Sequence, residues 1–166
     1  MEIQELLIGL AQIAIALIGF SGLASVFRRS GDETWRPGNR FWTLITTASG
    51  CLVFSLLPLV FLHGGMSLFV TWSACSGIFA AFLAVSWTWL FGELRRRIGA
   101  GQYYKSAITV LWTAGHVIAV AVLVLNTLGI VWQPTFAPYL ASLMLYFFWG
   151  SMIFIRMIYI GISANR

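Results

Sequence analysis

The sequence predicts an all-α fold, a polytopic bundle of five membrane-spanning helices, and three observations carry that expectation. Only fifteen of the 166 residues are charged, the charges leave three uninterrupted apolar runs, and the basic residues collect in the gaps between those runs. The runs cover residues 6–27, 41–92 and 106–155, which is 22, 52 and 50 residues. A helix needs about 20 apolar residues to cross a hydrocarbon core of about 30 Å. The alternative is four crossings with the first helix lying in the interface, but that helix lacks the charged face an interfacial helix carries.

The first element is a helix over 6–27. Met1 to Glu5 carries two acids and no Lys or Arg, unlike the basic start of a cleavable signal peptide, so this helix is expected to stay in the mature chain. Its positive flank is downstream, at Arg28 and Arg29, which places the N-terminus outside and the next loop in the cytoplasm. The 52-residue run is too long for one crossing and divides at His63, Gly64 and Gly65, since paired glycines are strong turn signals. Helices over 41–62 and 66–92 result, and Pro58 is expected to bend the first of them. The 50-residue run divides between Gln133 and Pro138, because Pro removes an amide donor and disfavours helix just before it. Helices over 106–132 and 138–160 complete one transmembrane domain spanning 1–166.

Charge supports the count independently. The segments 28–40 and 93–105 each hold four Lys or Arg, whereas both proposed outer turns hold none. An odd number of crossings then puts the C-terminus in the cytoplasm, with Arg156 and Arg166 marking that end. Trp42, Trp87, Trp89 and Trp112 fall toward the cytoplasmic ends and Trp132 and Tyr139 toward the outer ends, as aromatic belts do.

Composition excludes several function classes. The chain is 60% hydrophobic and 9% charged with a mean hydropathy of +0.88, against about 25% charged for a soluble domain. The net charge of +5 does not indicate nucleic acid, because the basic residues flank spanning segments, where they attract anionic lipid head groups. The short connections leave no room for a soluble catalytic domain. Cys51 and Cys75 both lie in apolar runs and are read as reduced, buried thiols, which helix pairing could bring to similar depth.

Lipid chains are as apolar as Leu, so helices in a bilayer meet where Gly, Ala, Ser and Thr let backbones approach. On the first helix Gly9, Gln12, Ala16 and Gly19 recur at spacings of three and four, with Glu5 on the same face and Gly22 close by. On the third, Gly77, Ala81, Ala84 and Thr88 form a similar line. These seams are expected to be packing surfaces, within or between subunits. The competing reading has Glu5 and Gln12 face an aqueous path in an oligomer.

The fourth helix carries Thr109, Thr113 and His116 on one face, with Asn126 and Thr127 near its outer end. His116 lies roughly 16 Å beyond Lys105, near the midplane, and an ionisable group at that depth is a functional candidate by default. Three readings stand for it: an imidazole that fixes packing, a step on a proton or ion path, or a metal or haem ligand. Ligation is the least supported, because the other histidine, His63, sits at a turn. No cofactor is expected.

Enzyme signatures are missing from the sequence: it has no H-E-x-x-H, no C-x-x-C, no Walker loop and no nucleophile elbow. No Asp or Glu falls near a midplane, where ion-coupled transporters place them. The segment from Ala11 to Gly22, Ala-Gln-Ile-Ala-Ile-Ala-Leu-Ile-Gly-Phe-Ser-Gly, followed by Arg28 and Arg29, resembles small, uncharacterised bacterial inner-membrane proteins with a glycine-rich first helix and a basic loop. The resemblance covers the first third of the chain and implies a bacterial inner membrane; it brings no function and no site. The expected function is a non-catalytic integral membrane module, a homo-oligomer or part of a larger membrane complex. The alternative is an oligomeric channel or proton-conducting pore lined by Glu5, Gln12, Thr109, Thr113 and His116.

Overall fold

The computed structural model describes residues 3–29, 39–99 and 107–163. They form five helices in chain order: α1 (Ile3–Arg29), α2 (Asn39–His63), α3 (Leu68–Gly99), α4 (Ala107–Leu128) and α5 (Phe136–Ser163). No strand occurs among the described residues. Each helix contains a segment long and apolar enough to cross a membrane: Ile3–Leu23, Phe41–His63, Leu68–Thr88, Leu111–Leu128 and Phe136–Ile155. The basic connections at 30–38 and 100–106, and Arg166, lie outside the described residues, as do the side chains of Arg156, Trp89 and Thr109.

The helix boundaries follow from capping chemistry. At the end of α2 the Gly65 amide donates to the Leu62 carbonyl and the Met66 amide to the Phe61 carbonyl, both at 3.1 Å. Gly65 has φ of 81°. This is a Schellman cap, which needs the left-handed conformation that only glycine adopts cheaply. Ser67 then caps α3, its carbonyl accepting from the Thr71 amide at 2.9 Å and its hydroxyl oxygen from the Val70 amide at 3.4 Å. That cap starts the helix at Leu68, where the glycine signal alone predicts 66.

The expected end of the fourth helix at 132 is earlier in the structure, at Leu128. Gly129, with φ of 62°, donates its amide to the Leu125 carbonyl at 3.1 Å and closes the helix in a simple left-handed cap. The α5 helix begins at Phe136, so Pro138 stands in its first turn, where no amide needs an intrahelical partner. At the other end of the chain's turns, α3 continues through Gly92 to Gly99, since the Arg95 to Arg97 stretch carries no helix-breaking residue. The α2 helix likewise runs through Pro58, which is buried.

Two compact units divide the chain. One comprises Met1–Val60 with Tyr146–Arg166, and thus α1, most of α2 and the second half of α5. In it α2 and α5 approach closely at one point, where a Cβ added at Gly150 would lie 2.9 Å from the Thr47 methyl carbon Cγ2. The Thr47 hydroxyl donates to the Thr43 carbonyl at 2.7 Å. It is also a hydrogen-bond partner of the Tyr146 side chain. Thr47 is therefore held from two sides while its methyl fills the space a glycine leaves open.

The second unit is Phe61–Leu145, built on α3 packed against α4 together with the first half of α5. Its core is aromatic between α3 and α5: Trp72 lies 5.1 Å from Phe136 and 5.8 Å from Tyr139, and Phe79 lies 5.9 Å from Tyr139, measured between ring centroids. Tyr139, Phe79, Leu83, Leu123 and Leu143 are fully buried. Tilted and edge-on pairs of this kind contribute about 0.5–1.5 kcal/mol each beyond their area.

Glycine contacts make the packing testable by melting the purified chain in detergent. Gly150→Ala is expected to destabilise by about 1–3 kcal/mol, because the new methyl meets a β-branched neighbour that cannot retreat. Adding Thr47→Ser removes the obstructing carbon and is expected to recover most of that loss. Gly19→Ala, whose added Cβ meets nothing within 4 Å, is expected to leave the melting temperature unchanged or raised, by up to about 1 kcal/mol.

Candidate functional site

The polar and small residues singled out by the sequence occupy three separate places. The first is α1, whose buried side chains are Leu7, Leu10, Ala11, Ala14 and Ser21. With 3.6 residues per turn, these lie on one side of the helix, and Glu5, Gly9, Gln12, Ala16 and Gly19 lie on the other. Glu5, Gln12, Ala16 and Gly19 are exposed, and Gly9 and Gly22 are half-buried. A Cβ at Gly9, Gly19 or Gly22 would meet nothing within 4 Å. The small-residue seam therefore faces away from the chain's own packing, and Leu and Ala residues do the internal work on this helix.

The third-helix seam is divided. Gly77 lies in contact with α4, an added Cβ there being 3.3 Å from the Thr127 methyl. Ala81, Ala84 and Thr88 continue the same line but are exposed, and the Thr88 hydroxyl donates to the Val85 carbonyl at 2.8 Å, back onto its own helix. One end of the seam joins two helices and the other end is open.

The second place is around His116. Its imidazole is buried, with the Trp112 ring centroid 4.4 Å away in a tilted arrangement and the Trp87 ring 6.0 Å away edge-on. Trp112 precedes His116 by one helical turn. Thr113 is half-buried. His116 and Thr113 belong to the Phe61–Leu145 unit, whereas Glu5 and Gln12 belong to the other. Trp87 comes from α3 and Trp112 from α4, so the imidazole packs between the two helices near their Trp-bearing ends.

The third place is a node that the sequence only hinted at. Asn126, fully buried, donates through Nδ2 to the Ser76 hydroxyl at 2.8 Å and to the Thr135 carbonyl at 3.1 Å. Its Oδ1 accepts from the Trp132 indole N–H and from the Thr135 amide, each at 3.1 Å. One turn away, Ser73 donates to the Thr127 carbonyl at 2.8 Å, while the Thr127 hydroxyl donates to Leu123. A single side-chain amide thus ties α3, the end of α4 and the strand of chain entering α5. The available signal was an Asn inside an apolar run with Ser73 and Ser76 in a facing helix, because a polar side chain in such surroundings has to pair.

Cys51 and Cys75 are buried free thiols, one in each unit. His63 is exposed at the turn. Among the described residues, no three or more His, Cys, Asp or Glu side chains gather in a way that could hold a metal ion.

No protein family, curated protein or solved structure matches this chain. Its function is read from its own residues.

Replacing Asn126 tests the node directly. Asn126→Leu keeps the volume but strands the Trp132 and Thr135 donors, and is expected to lower stability by about 1–3 kcal/mol in a detergent melt. Ser76→Ala removes one of the four bonds and is expected to cost about 1 kcal/mol or less. Equal melting temperatures for Asn126→Leu and wild type would show that the node does not hold the connection.

Proposed function

We propose that the five helices cross a bacterial inner membrane, with the N-terminus outside and the C-terminus in the cytoplasm, and that the chain is a non-catalytic integral membrane module that self-associates or joins a larger membrane complex. The observation that carries this reading is the outward face of α1, where Gln12 and Glu5 are exposed beside Gly9, Ala16 and Gly19. An unpaired amide in hydrocarbon costs on the order of several kcal/mol. Small residues, meanwhile, are what allow two backbones to approach in lipid. A helix laid along this face gains both contacts at once. Because a glutamine amide is both donor and acceptor, the same residue on a second copy is a suitable partner. The open line of Ala81, Ala84 and Thr88 on α3 offers a further face of the same kind.

Orientation rests on the eight Lys and Arg in the segments 28–40 and 93–105, against none in the connections at 64–67 and 129–135. Those basic segments would meet anionic head groups on the cytoplasmic leaflet.

A second reading is favoured by one feature of the same face. Glu5 and Gln12 are exposed together, so an oligomer that arranged α1 around an axis would line a pore with them.

Energy transfer between labelled copies in vesicles measures self-association. Gly9→Ile, Gly19→Ile and Gln12→Leu are each expected to weaken it by about 1–2 kcal/mol, or roughly tenfold in Kd, with no change in melting temperature. Unchanged transfer in all three would remove α1 as the contact. Proteoliposomes carrying wild type are expected to show no proton or ion flux between about pH 5 and 8. A flux that His116→Ala abolishes would overturn the passive module and leave the pore.

A further inference from the structure

Among the described residues, the exposed side chains able to hydrogen-bond within the five apolar segments stand near the segment ends, with one exception. Gln4 and Glu5 open the first segment, Trp42 and Thr46 lie in the first turns of the second with His63 at its end, and Thr88 closes the third. Gln12 is the exception. It is nine residues from Ile3 and eleven from Leu23, the ends of its segment, and at 1.5 Å per residue that is about 13 Å or more from either end.

The direction in which Gln12 points is fixed by the rest of α1. At 3.6 residues per turn, Glu5, Gln12, Ala16, Gly19 and Leu23 fall within an arc of about 60°, and all five are exposed. Leu7, Leu10, Ala11 and Ala14 are buried on the opposite side. An amide held in hydrocarbon needs a donor for its oxygen and an acceptor for its nitrogen. Ser49, half-buried in the middle of the second segment, carries a single hydroxyl, which answers one end of an amide. Another primary amide answers both ends, through two reciprocal N–H to carbonyl bonds. In mid-segment the exposed described surface offers one such group, Gln12 itself.

Every copy of the chain inserts in the same direction, because the same basic segments face the same side of the membrane. Copies that join Gln12 to Gln12 are therefore parallel, related by an axis along the membrane normal. A two-fold contact of this kind is isologous and sets each residue on the axis beside its own equivalent.

We infer that two copies pair through α1, parallel and in register, with Gln12 bonded to Gln12 and with Gly9, Ala16 and Gly19 each against its own equivalent. The reciprocal amide bonds close on themselves, which sets the number of copies at two. A Cβ at Gly9 or Gly19 would meet nothing within 4 Å, so neither position is closed off by the chain's own packing, and the missing side chains let the two backbones approach. The same axis brings the two Glu5 carboxylates to one level at the outer end, where water and salt screen them. The inference rests on the proposed spanning arrangement and self-association, and adds to them the register and the number of copies.

The test is oxidative cross-linking of the full chain in phosphatidylcholine and phosphatidylglycerol vesicles, with a single new thiol at Glu5→Cys, Ala16→Cys or, away from α1, Val117→Cys. Cys51 and Cys75 stay in place as buried thiols, and the wild-type chain is the blank. Variants are used that melt at the wild-type temperature. Glu5→Cys and Ala16→Cys are each expected to give severalfold more disulfide-linked dimer than Val117→Cys, and a mixture of the two to give almost no link between positions 5 and 16. Energy transfer between labelled wild-type copies is expected to rise linearly with the fraction of acceptor, as it does for a pair. Transfer without enhanced linking at Ala16→Cys would overturn the inference and leave self-association through another surface. Transfer that curves with acceptor fraction would overturn the pair in favour of a larger ring. Absence of transfer for wild type would overturn the self-association on which the inference rests.

Discussion

Hydrogen bonding at helix ends is the constraint on which the rest of the Phe61–Leu145 unit depends. Helices satisfy their own interiors, but each end leaves amides or carbonyls that need a partner. In a chain this poor in charge, and with connections this short, the partners have to come from nearby side chains and from backbone that folds back on itself. Gly65 and Gly129 supply the backbone solution, by adopting a conformation with positive φ that turns their amides onto the preceding turn. Asn126 supplies the side-chain solution. An amide is suited to the place because it offers two donors and an acceptor with two lone pairs, so one residue serves Ser76, Thr135 and Trp132 together. With that node formed, the end of α4 is fixed beside Ser73 to Gly77 of α3, and the chain enters α5 at Phe136 in position to place Tyr139 against Trp72 and Phe79.

Glycine plays three distinct parts in the molecule, and only the structure separates them. Gly65 and Gly129 are needed for their backbone conformation. Gly150 and Gly77 are needed for lack of a side chain, because Thr47 and Thr127 occupy the space. Gly9 and Gly19 are required by neither, since a Cβ added at either would meet nothing within 4 Å. A glycine with no internal reason, on a face that also exposes a glutamine, is the type of feature that a contact outside the chain would explain. That contrast, and not the abundance of glycine, is the support for the proposed association through α1.

The chemistry-bearing residues do not form one constellation in any single unit. Glu5 and Gln12 fall in one unit, and Thr113 and His116 in the other. The buried imidazole of His116 stands between the indoles of Trp87 on α3 and Trp112 on α4.

What the sequence determined by itself was the number and kind of elements. Spacing of charge and the distribution of Gly and Pro are properties of the chain, so five helices and the regions that separate them could be read directly. Their ends could not be placed to the residue, because Ser67, Gly129 and Pro138 act through local hydrogen bonds whose partners depend on where the helix has already begun. The seam on α1 was also visible as a line of small residues, since helical periodicity alone puts Gly9, Gln12, Ala16 and Gly19 on one face. Which way that face turns was decided only by tertiary packing: Leu7, Leu10, Ala11 and Ala14 bury more apolar surface and take the inside, leaving the small residues outward. The same holds for Asn126, whose four bonds go to three residues at sequence separations of six, nine and fifty and form together only when α3 and α4 pack.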